Sequence, residues 1–332
     1  MTTERFDQYM NRCLYHPQFG FYASGTGRAG RRRGDFITSP EVGPLFATVL
    51  SRALDTWWQE LGCPEPFPVF DAGTGPSTFV RQLDGIDGPS KAARRVRGFD
   101  RPGGDDLVPA ADVGSLGGAV VIANELLDNL AVRIVERLDS DQSGAAHWGE
   151  VTVSSEGGVP VEAVVPIDGL PAPLSTIDLP ADLPVGTRVA VHADAAAWVG
   201  SMLDAGVSKL VAFDYGAETT AELAARGGWL RTYRQHQRGA DPYREPGEWD
   251  ITVDVGFDQL PSPTRIDTQA SFLRRHGIDE LVDEGARYWR EHAARPDLTA
   301  IAMRSRTSEA DALCAPDGLG GWLVAEWDRT EV

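Results

Sequence analysis

Apolar positions in this chain recur at two spacings, and the places where one gives way to the other mark out the elements. Phe6, Tyr9, Met10, Cys13 and Leu14 fall three and four apart, which lays one apolar stripe along a helix over Phe6–Tyr15. His16-Pro17 stops that helix, and Phe19-Gly20-Phe21-Tyr22 reads as an aromatic turn or strand. At Ser39-Pro40-Glu41 a serine N-cap, a proline at the first helical position and a carboxylate in the first turn open a second helix. Val42, Leu45, Phe46, Val49, Leu50, Leu54, Trp57 and Leu61 continue its apolar face. One long buried helix is therefore expected, ended by Gly62-Cys63-Pro64-Glu65-Pro66.

Beyond this break the pattern alternates. Phe67–Asp71, Arg95–Asp100 and Gly118–Asn124 are strand-like runs, and a helix carrying Phe79, Val80 and Leu83 on one face follows the first of them. Alternating strands and helices with short joins predict an α/β fold with a doubly wound sheet. Val132–Leu138 and His147–Val153, separated by Ser140-Asp141-Gln142-Ser143-Gly144, read as a hairpin inserted to cap that sheet. Residues 155–187 are rich in proline and glycine with weak periodicity, so they are expected to be irregular and partly extended. Ala193–Leu203, Thr268–Leu273 and Glu280–His292 have helical spacing, while Lys209–Phe213 and Gly321–Trp327 read as strands. Gly227–Glu248 reads as a loop in which Arg231, Tyr233, Arg234 and His236 cluster. The chain thus divides into N-terminal helices over 1–62, a core over 63–131 and 188–332, and an inserted cap over 132–187.

Charge narrows the partners. Over 332 residues, 31 basic against 49 acidic side chains give a formal charge of −18, which repels phosphate backbones and anionic membrane surfaces. A nucleic-acid or membrane partner is disfavoured, whereas a basic peptide or a small ligand is not. Against this background Ser24–Gly34 stands out as a basic loop, with four glycines around Arg28 and Arg31-Arg32-Arg33. Cys13, Cys63 and Cys314 are too few and too scattered for a disulfide framework or a metal cluster, so no metal is expected. No apolar run approaches a membrane span, and Met1-Thr2-Thr3-Glu4-Arg5-Phe6 lacks the apolar core of a secretion signal, which makes the cytoplasm the expected compartment. Trp57, Trp58, Trp198 and Trp322 suit a core or an interface equally, so the oligomeric state is left open.

The candidate chemistry lies where strands end. In an open parallel sheet, ligands bind outside the carboxyl ends of the strands near the point where strand order reverses. Asp71-Ala72-Gly73-Thr74-Gly75 has the outline of a cofactor loop, its glycines allowing close backbone approach and a helix near Pro76 aiming its amide end at the site. A dinucleotide fingerprint wants a third glycine where Ser77 stands, and Asp71 would repel a pyrophosphate. A carboxylate helps to hold an ammonium, so S-adenosylmethionine suits the loop better than a nicotinamide dinucleotide, although an ordinary strand-turn-helix shares the outline. Asp100 is placed to accept hydrogen bonds from ribose hydroxyls, with a solvated turn aspartate as the competing reading. Asn124-Glu125-Leu126-Leu127-Asp128 directly follows a buried strand, where polar side chains cost free energy unless something binds them. Glu125 and Asp128 suit a bidentate grip on a guanidinium, whose pKa above about 12 makes a nearby proton acceptor valuable. Alternatively they open a helix and satisfy its amides.

These runs belong to an ordered set: Gly34-Asp35-Phe36-Ile37-Thr38-Ser39-Pro40-Glu41, Ala123-Asn124-Glu125-Leu126-Leu127-Asp128, Asp214-Tyr215-Gly216, Leu230–His236, Asp250-Ile251-Thr252 and Gln269–Leu273. The set resembles the MidA-type family of S-adenosylmethionine-dependent methyltransferases, whose mitochondrial members are protein-arginine methyltransferases acting in complex I assembly. The resemblance implies a class I methyltransferase fold with an N-terminal helical lid and an inserted substrate-cap subdomain. It implies S-adenosylmethionine held by Asp71, Gly73, Gly75, Asp100 and Asn124 under a lid contributing Gly34, Asp35, Thr38, Pro40 and Glu41. It also implies a protein substrate that presents an arginine to Glu125 and Asp128, with His236 beside them. The chain departs from the family pattern at Asp71, Pro76 and Ser77 in the glycine loop, and has Asp254 and Gly256 where a histidine and a later aspartate are usual. Those departures motivate a second reading, a non-catalytic S-adenosylmethionine-binding assembly or scaffold protein.

Overall fold

A computed structural model describes residues 3–22, 38–100, 116–140, 146–234, 237–239 and 241–329. The basic loop Ser24–Gly34 and the expected site residues Gly34, Asp35 and His236 lie outside the described residues. In chain order the elements begin β1 (Glu4–Arg5), α1 (Phe6–Tyr15), α2 (Ser39–Val42), α3 (Pro44–Glu60), β2 (Phe67–Ala72), α4 (Thr78–Asp84), β3 (Arg94–Phe99) and β4 (Val120–Asn124). A middle stretch holds β5 (Arg133–Ser140), β6 (Ala146–Glu156), β7 (Val159–Ile167), β8 (Arg188–Val191), α5 (Ala193–Asp204), β9 (Lys209–Asp214), β10 (Gly216–Ala217) and α6 (Thr220–Arg226). The chain continues through β11 (Leu230–Arg234), β12 (Gln237–Gly239), β13 (Asp250–Val253), β14 (Val255–Gly256) and β15 (Arg265–Thr268). It closes with α7 (Gln269–Arg275), α8 (Ile278–His292), α9 (Leu298–Leu313) and β16 (Leu323–Asp328).

Six strands form the central sheet in the order β15-β16-β9-β4-β2-β3. β3, β2, β4 and β9 are parallel, and β16 runs antiparallel to both β9 and β15. β2, β4 and β9 are buried on both faces, which is why they read as apolar runs, whereas the edge strand β3 leaves Arg95, Arg97 and Gly98 exposed. Phe67, Val69, Val120, Ile122, Val211 and Phe213 face α3, α7 and α8, while Phe70, Ala72, Val121, Ala123, Leu210 and Ala212 face Ala195, Trp198, Val199 and Met202 of α5. Helices on both faces make the sheet doubly wound. Phe213 packs edge-on against Phe46 and Phe272 at 5.4 and 5.0 Å, so truncating it to alanine would cost about 3–5 kcal/mol and loosen the strand that ends in Asp214.

A second sheet, in the order β1-β6-β5-β8 with β7 on the other edge of β6, packs one face on Phe6, Tyr9, Met10, Cys13 and Leu14 of α1. Its other face covers Leu174 and Leu183. The stretch expected to be irregular between 155 and 187 instead contains β7. Gly157 and Gly158, with φ of 61° and 86°, form the two-residue turn that joins β6 to β7 in register from Glu156↔Val159 to Trp148↔Ile167. Two left-handed residues match the twist of a hairpin, and Pro160 and Pro166 are tolerated because β7 pairs on only one side.

Three further expectations change. The helix expected from Ser39 to Leu61 is two helices, because Gly43 is extended and Pro44 starts α3 without an amide to offer α2. A side chain at Gly43 would collide with the Glu309 carboxylate, which instead caps α3 by accepting from Leu45 N at 2.9 Å. The N-cap of α2 is Thr38, not Ser39. Gly227–Glu248 is not all loop, since β11 pairs with β12 and β13 in a small antiparallel sheet. The pattern also missed α9, whose apolar residues form no clear stripe but which Asp297 caps by accepting from Ala300 N at 2.7 Å.

Gly216 joins these layers. A Cβ there would lie 2.0 Å from the Val255 carbonyl oxygen, so only glycine lets β10 run beside β14 and bring β11 and β13 up to Tyr215. Among the described residues no helix is long and apolar enough to cross a membrane.

Candidate active site at the carboxyl ends of the sheet

The chain leaves β2 toward β3 on one side, while β4 lies on the other. The loops that follow β2 and β4 therefore diverge, and the crevice between them is the switch point of the sheet. Asp71, Asp100, Asn124 with Glu125, and Asp214 stand at or beside the ends of four neighbouring parallel strands. The sheet gathers them at one edge.

After β2 the geometry is made by backbone. Gly73 and Gly75 have φ of 75° and 47°, and Ser77 adopts 57° at the start of α4. The amides of Gly73 and Thr74 both donate to Phe99 O at 2.8 and 2.9 Å, which folds the turn onto the end of β3 beside Asp100. Gly98 makes room for it: a Cβ there would sit 2.5 Å from Thr74 Oγ1. Asp71 is 4% exposed, and its carboxyl is pushed up to about 7 by burial and by the charge of Asp100, with the Thr74 side chain offsetting part of the rise. The helix expected near Pro76 begins at Thr78 and is seven residues long.

The segment Thr38–Val42 is tied down on this turn. Thr78 Oγ1 donates to Glu41 Oε1 at 2.6 Å, Gln82 Nε2 donates to Pro40 O at 3.1 Å, and Ser39 Oγ donates to the buried Gln269 at 2.9 Å. The Ser39 backbone also lies close enough to Glu125 to hold its pKa down, so the segment reaches both loops of the crevice.

After β4 the geometry is made by side chains. Glu125 has φ of 53°, its amide donates to Phe213 O at 2.9 Å, and its Oε1 accepts from Asn124 Nδ2 at 3.0 Å. A non-glycine residue held in the left-handed region is backbone strain of the kind that collects at functional sites. Glu125 and Asp128 do not cap a helix. That duty falls to Asp214, fully buried at the end of β9, whose Oδ2 accepts from Leu127 N at 2.8 Å and Asp128 N at 3.3 Å. Asp128 is 2% exposed; its Oδ2 accepts from the Tyr215 hydroxyl, and its Oδ1 has no partner among the described residues. Asn124 Oδ1 is likewise buried without one. The next residue, Asn129, donates to Asp250 Oδ1 and Ile251 O, both at 3.1 Å, and lies 2.9 Å from the Tyr22 hydroxyl.

Burial dominates the electrostatics of this half. It drives Glu125 and Asp214 well above the usual carboxylate range, reinforced by Asp128 acting on each, and lifts Asp128 to about 6. Asp254 is raised too, against the pull of Arg231 and Arg226, which both pair with it. Such a cluster of carboxyls is stabilised by a cation or by protons. Among the described residues no three His, Cys, Asp or Glu side chains are grouped to hold a metal ion. The structure thus gathers Asp71, Asp100, Asn124, Glu125, Asp128, Thr38, Pro40 and Glu41 at the crevice. Tyr215, Arg231, Asp254 and Asp250 had not been assigned to the site from sequence, although the polar Asp214-Tyr215-Gly216 after a buried strand was a legible signal.

A glycine turn and an acid-rich crevice at the switch point of a doubly wound sheet match the site expected in the family of S-adenosylmethionine-dependent methyltransferases. A family model described as "Putative S-adenosyl-L-methionine-dependent methyltransferase" matches residues 108–276, half of the chain, and the chain belongs to that family. It is 25% identical over 297 residues to the protein arginine methyltransferase NDUFAF7 homolog, mitochondrial, of Drosophila melanogaster, covering 75% of this chain and 64% of that longer protein. A COG1565 superfamily member from Burkholderia thailandensis, solved bound to S-adenosyl-homocysteine, superposes with a TM-score of 0.75 at 25% identity over 98% of this chain and 88% of its own. The native structure of an uncharacterized COG1565 protein from the same organism shares the fold, with a TM-score of 0.72 at 23% identity over 98% and 87% of the two chains. S-adenosylmethionine is therefore the cofactor, and the residues present fit it. A positively charged amino acid suits acids beside a glycine turn, and Asn124 Oδ1 and Asp128 Oδ1 are buried acceptors still open to a ligand.

Proposed function

We propose that this protein methylates an arginine side chain of a protein substrate. The observation that carries the reading is the Glu125–Asp128 pair: one half-buried and one buried carboxyl, both raised in pKa, with one Asp128 oxygen lacking a donor among the described residues. A guanidinium satisfies such a pair better than any neutral group, because its planar donors match two carboxylates and its charge relieves their repulsion. On this reading Asp71, Gly73, Gly75, Asp100 and Asn124 hold the cofactor, and Thr38, Pro40 and Glu41 close one wall of its site. The second sheet, β5 to β8 with α1, forms the cap against which the substrate protein rests.

Bound S-adenosylmethionine supplies an electrophilic methyl on sulfur. The protein's part is to align the nucleophile and to take its proton. Glu125, whose burial makes it an avid proton acceptor, receives the proton that the guanidinium loses, while Asp128 fixes the guanidinium plane. The test is Glu125→Gln, assayed by mass spectrometry on arginine-containing proteins methylated by the pure enzyme. We expect transfer to fall at least about 100-fold with S-adenosyl-homocysteine affinity within a few-fold of wild type. Methyl groups found only on residues other than arginine would exclude the reading.

A further inference from the structure

Asp128 does not stand alone. Its Oδ2 accepts a hydrogen bond from the Tyr215 hydroxyl, and the Tyr215 ring lies under the Arg231 guanidinium, 4.7 Å from ring centroid to Cζ. Arg231 is in turn anchored by Asp254, which a second arginine, Arg226, also grips. The parts come from three places in the chain: Asp128 follows β4, Tyr215 follows β9, and Arg231 with Asp254 belong to the small sheet that Gly216 allows to approach. Asp254 thus places an anion behind the arginine. Arg226, on α6, adds the cation that balances it.

We propose that Tyr215, Arg231 and Asp254 are positioning residues that hold Asp128 as an anion in one orientation, with Oδ1 presented to the substrate guanidinium. This rests on the reading of Asp128 as the substrate's anchor. Two physical effects carry it. The hydroxyl restricts the carboxylate to one rotamer by binding Oδ2, which leaves Oδ1, unpaired among the described residues, turned to a ligand. The guanidinium over the ring supplies positive charge near a carboxylate that burial alone would leave neutral, since cations stack on aromatic faces and oppose desolvation of a nearby anion. Asp254 prevents Arg231 from swinging over to neutralise Asp128 directly, which would fill the substrate's place with the protein's own arginine. Glu125, Asp214 and Asp250 also face the cluster as acids and Tyr22 as a neutral hydroxyl, so Tyr215 and Arg231 work against several like charges.

The experiment is a carbon-13 NMR titration of aspartate carboxyls in the full chain, with Asp128 assigned by difference from Asp128→Asn. Tyr215→Phe and Arg231→Met should each move the Asp128 midpoint upward by about one unit, and Arg231→Lys should restore part of the shift by keeping the charge. On an arginine peptide the acid limb of the kcat/KM profile should move in the same direction, while S-adenosyl-homocysteine affinity stays unchanged. An Asp128 midpoint that stays put in both Tyr215→Phe and Arg231→Met overturns the inference, whatever the activity. A wild-type enzyme whose Asp128 responds as expected but which transfers no methyl to arginine would instead defeat the proposed function.

Discussion

The two halves of the crevice are built in opposite ways. After β2 the chain uses backbone: two glycines and a serine in the left-handed region, paired amides on Phe99 O, and a glycine at 98 to let the turn close. After β4 and β9 it uses side chains: half-buried Glu125 with buried Asp128 and Asp214, balanced by Tyr215 and by an arginine from another sheet. A backbone site accepts the constant part of a reaction, the cofactor. Its shape tolerates few sequences but needs no partner from afar. A side-chain site adapts to the variable part, the substrate, and carries the electrostatic strain that goes with it.

The sharpest way to break this comparison is to injure one half and ask whether the other notices. Gly98→Ala places a methyl against Thr74 and displaces the turn that Phe99 O holds. Calorimetry should show S-adenosyl-homocysteine affinity lowered about tenfold or more, worth about 1.4 kcal/mol, with kcat at saturating cofactor little changed. Glu125→Gln should give the reverse. If both variants lose cofactor and transfer together, the halves are one unit and the division fails.

Stability against pH probes the same contrast more gently. The Asp71 carboxyl titrates at about 7 in the folded state against 3.8 unfolded, so folding favours its protonated form. Its stabilising contribution is complete below the unfolded value and is lost as pH rises through the folded one; Asp128, lifted to about 6, acts in the same direction. The Tm of the free protein should therefore fall between about pH 4 and 7, and bound cofactor should flatten the slope. Asp71→Asn should raise stability at pH 8 by about 1–3 kcal/mol while weakening cofactor binding. A flat profile for the free protein would mean that these carboxyls are solvated.

How much of this was legible in the sequence follows the same division. The turn after β2 is contiguous, so Asp71, Gly73 and Gly75 could be named from one short run, as could the strands of the central sheet, whose apolar runs are local. The Asp128 network was not legible. Arg231 meets Tyr215 only because β11 pairs with β13 and β14 with β10, contacts that no local periodicity encodes. The break between α2 and α3 was readable in Gly43-Pro44 and was overridden by the continuous apolar stripe. Strand β7 was hidden by its prolines and by an outward face that keeps Val159 and Val165 exposed, although Gly157-Gly158 announced its turn.

The smallest test addresses the wall shared by both halves. Thr78 Oγ1 donates to Glu41 Oε1, while the backbone of Ser39, two residues earlier, holds down the pKa of Glu125. Thr78→Val keeps the shape and the β-branch but deletes the donor, leaving a part-buried carboxylate oxygen short of one hydrogen bond. The expected cost is about 1 kcal/mol of stability. If the segment serves the cofactor half alone, S-adenosyl-homocysteine affinity should fall a few-fold and the pH profile of transfer should stay where it is. If the segment couples the halves through Ser39, freeing it takes that backbone away from Glu125, whose pKa must then rise further, and the acid limb of transfer moves to higher pH. Calorimetry and a pH series on this one variant separate the two outcomes, and the second would show that the cofactor side sets the proton affinity of the substrate side.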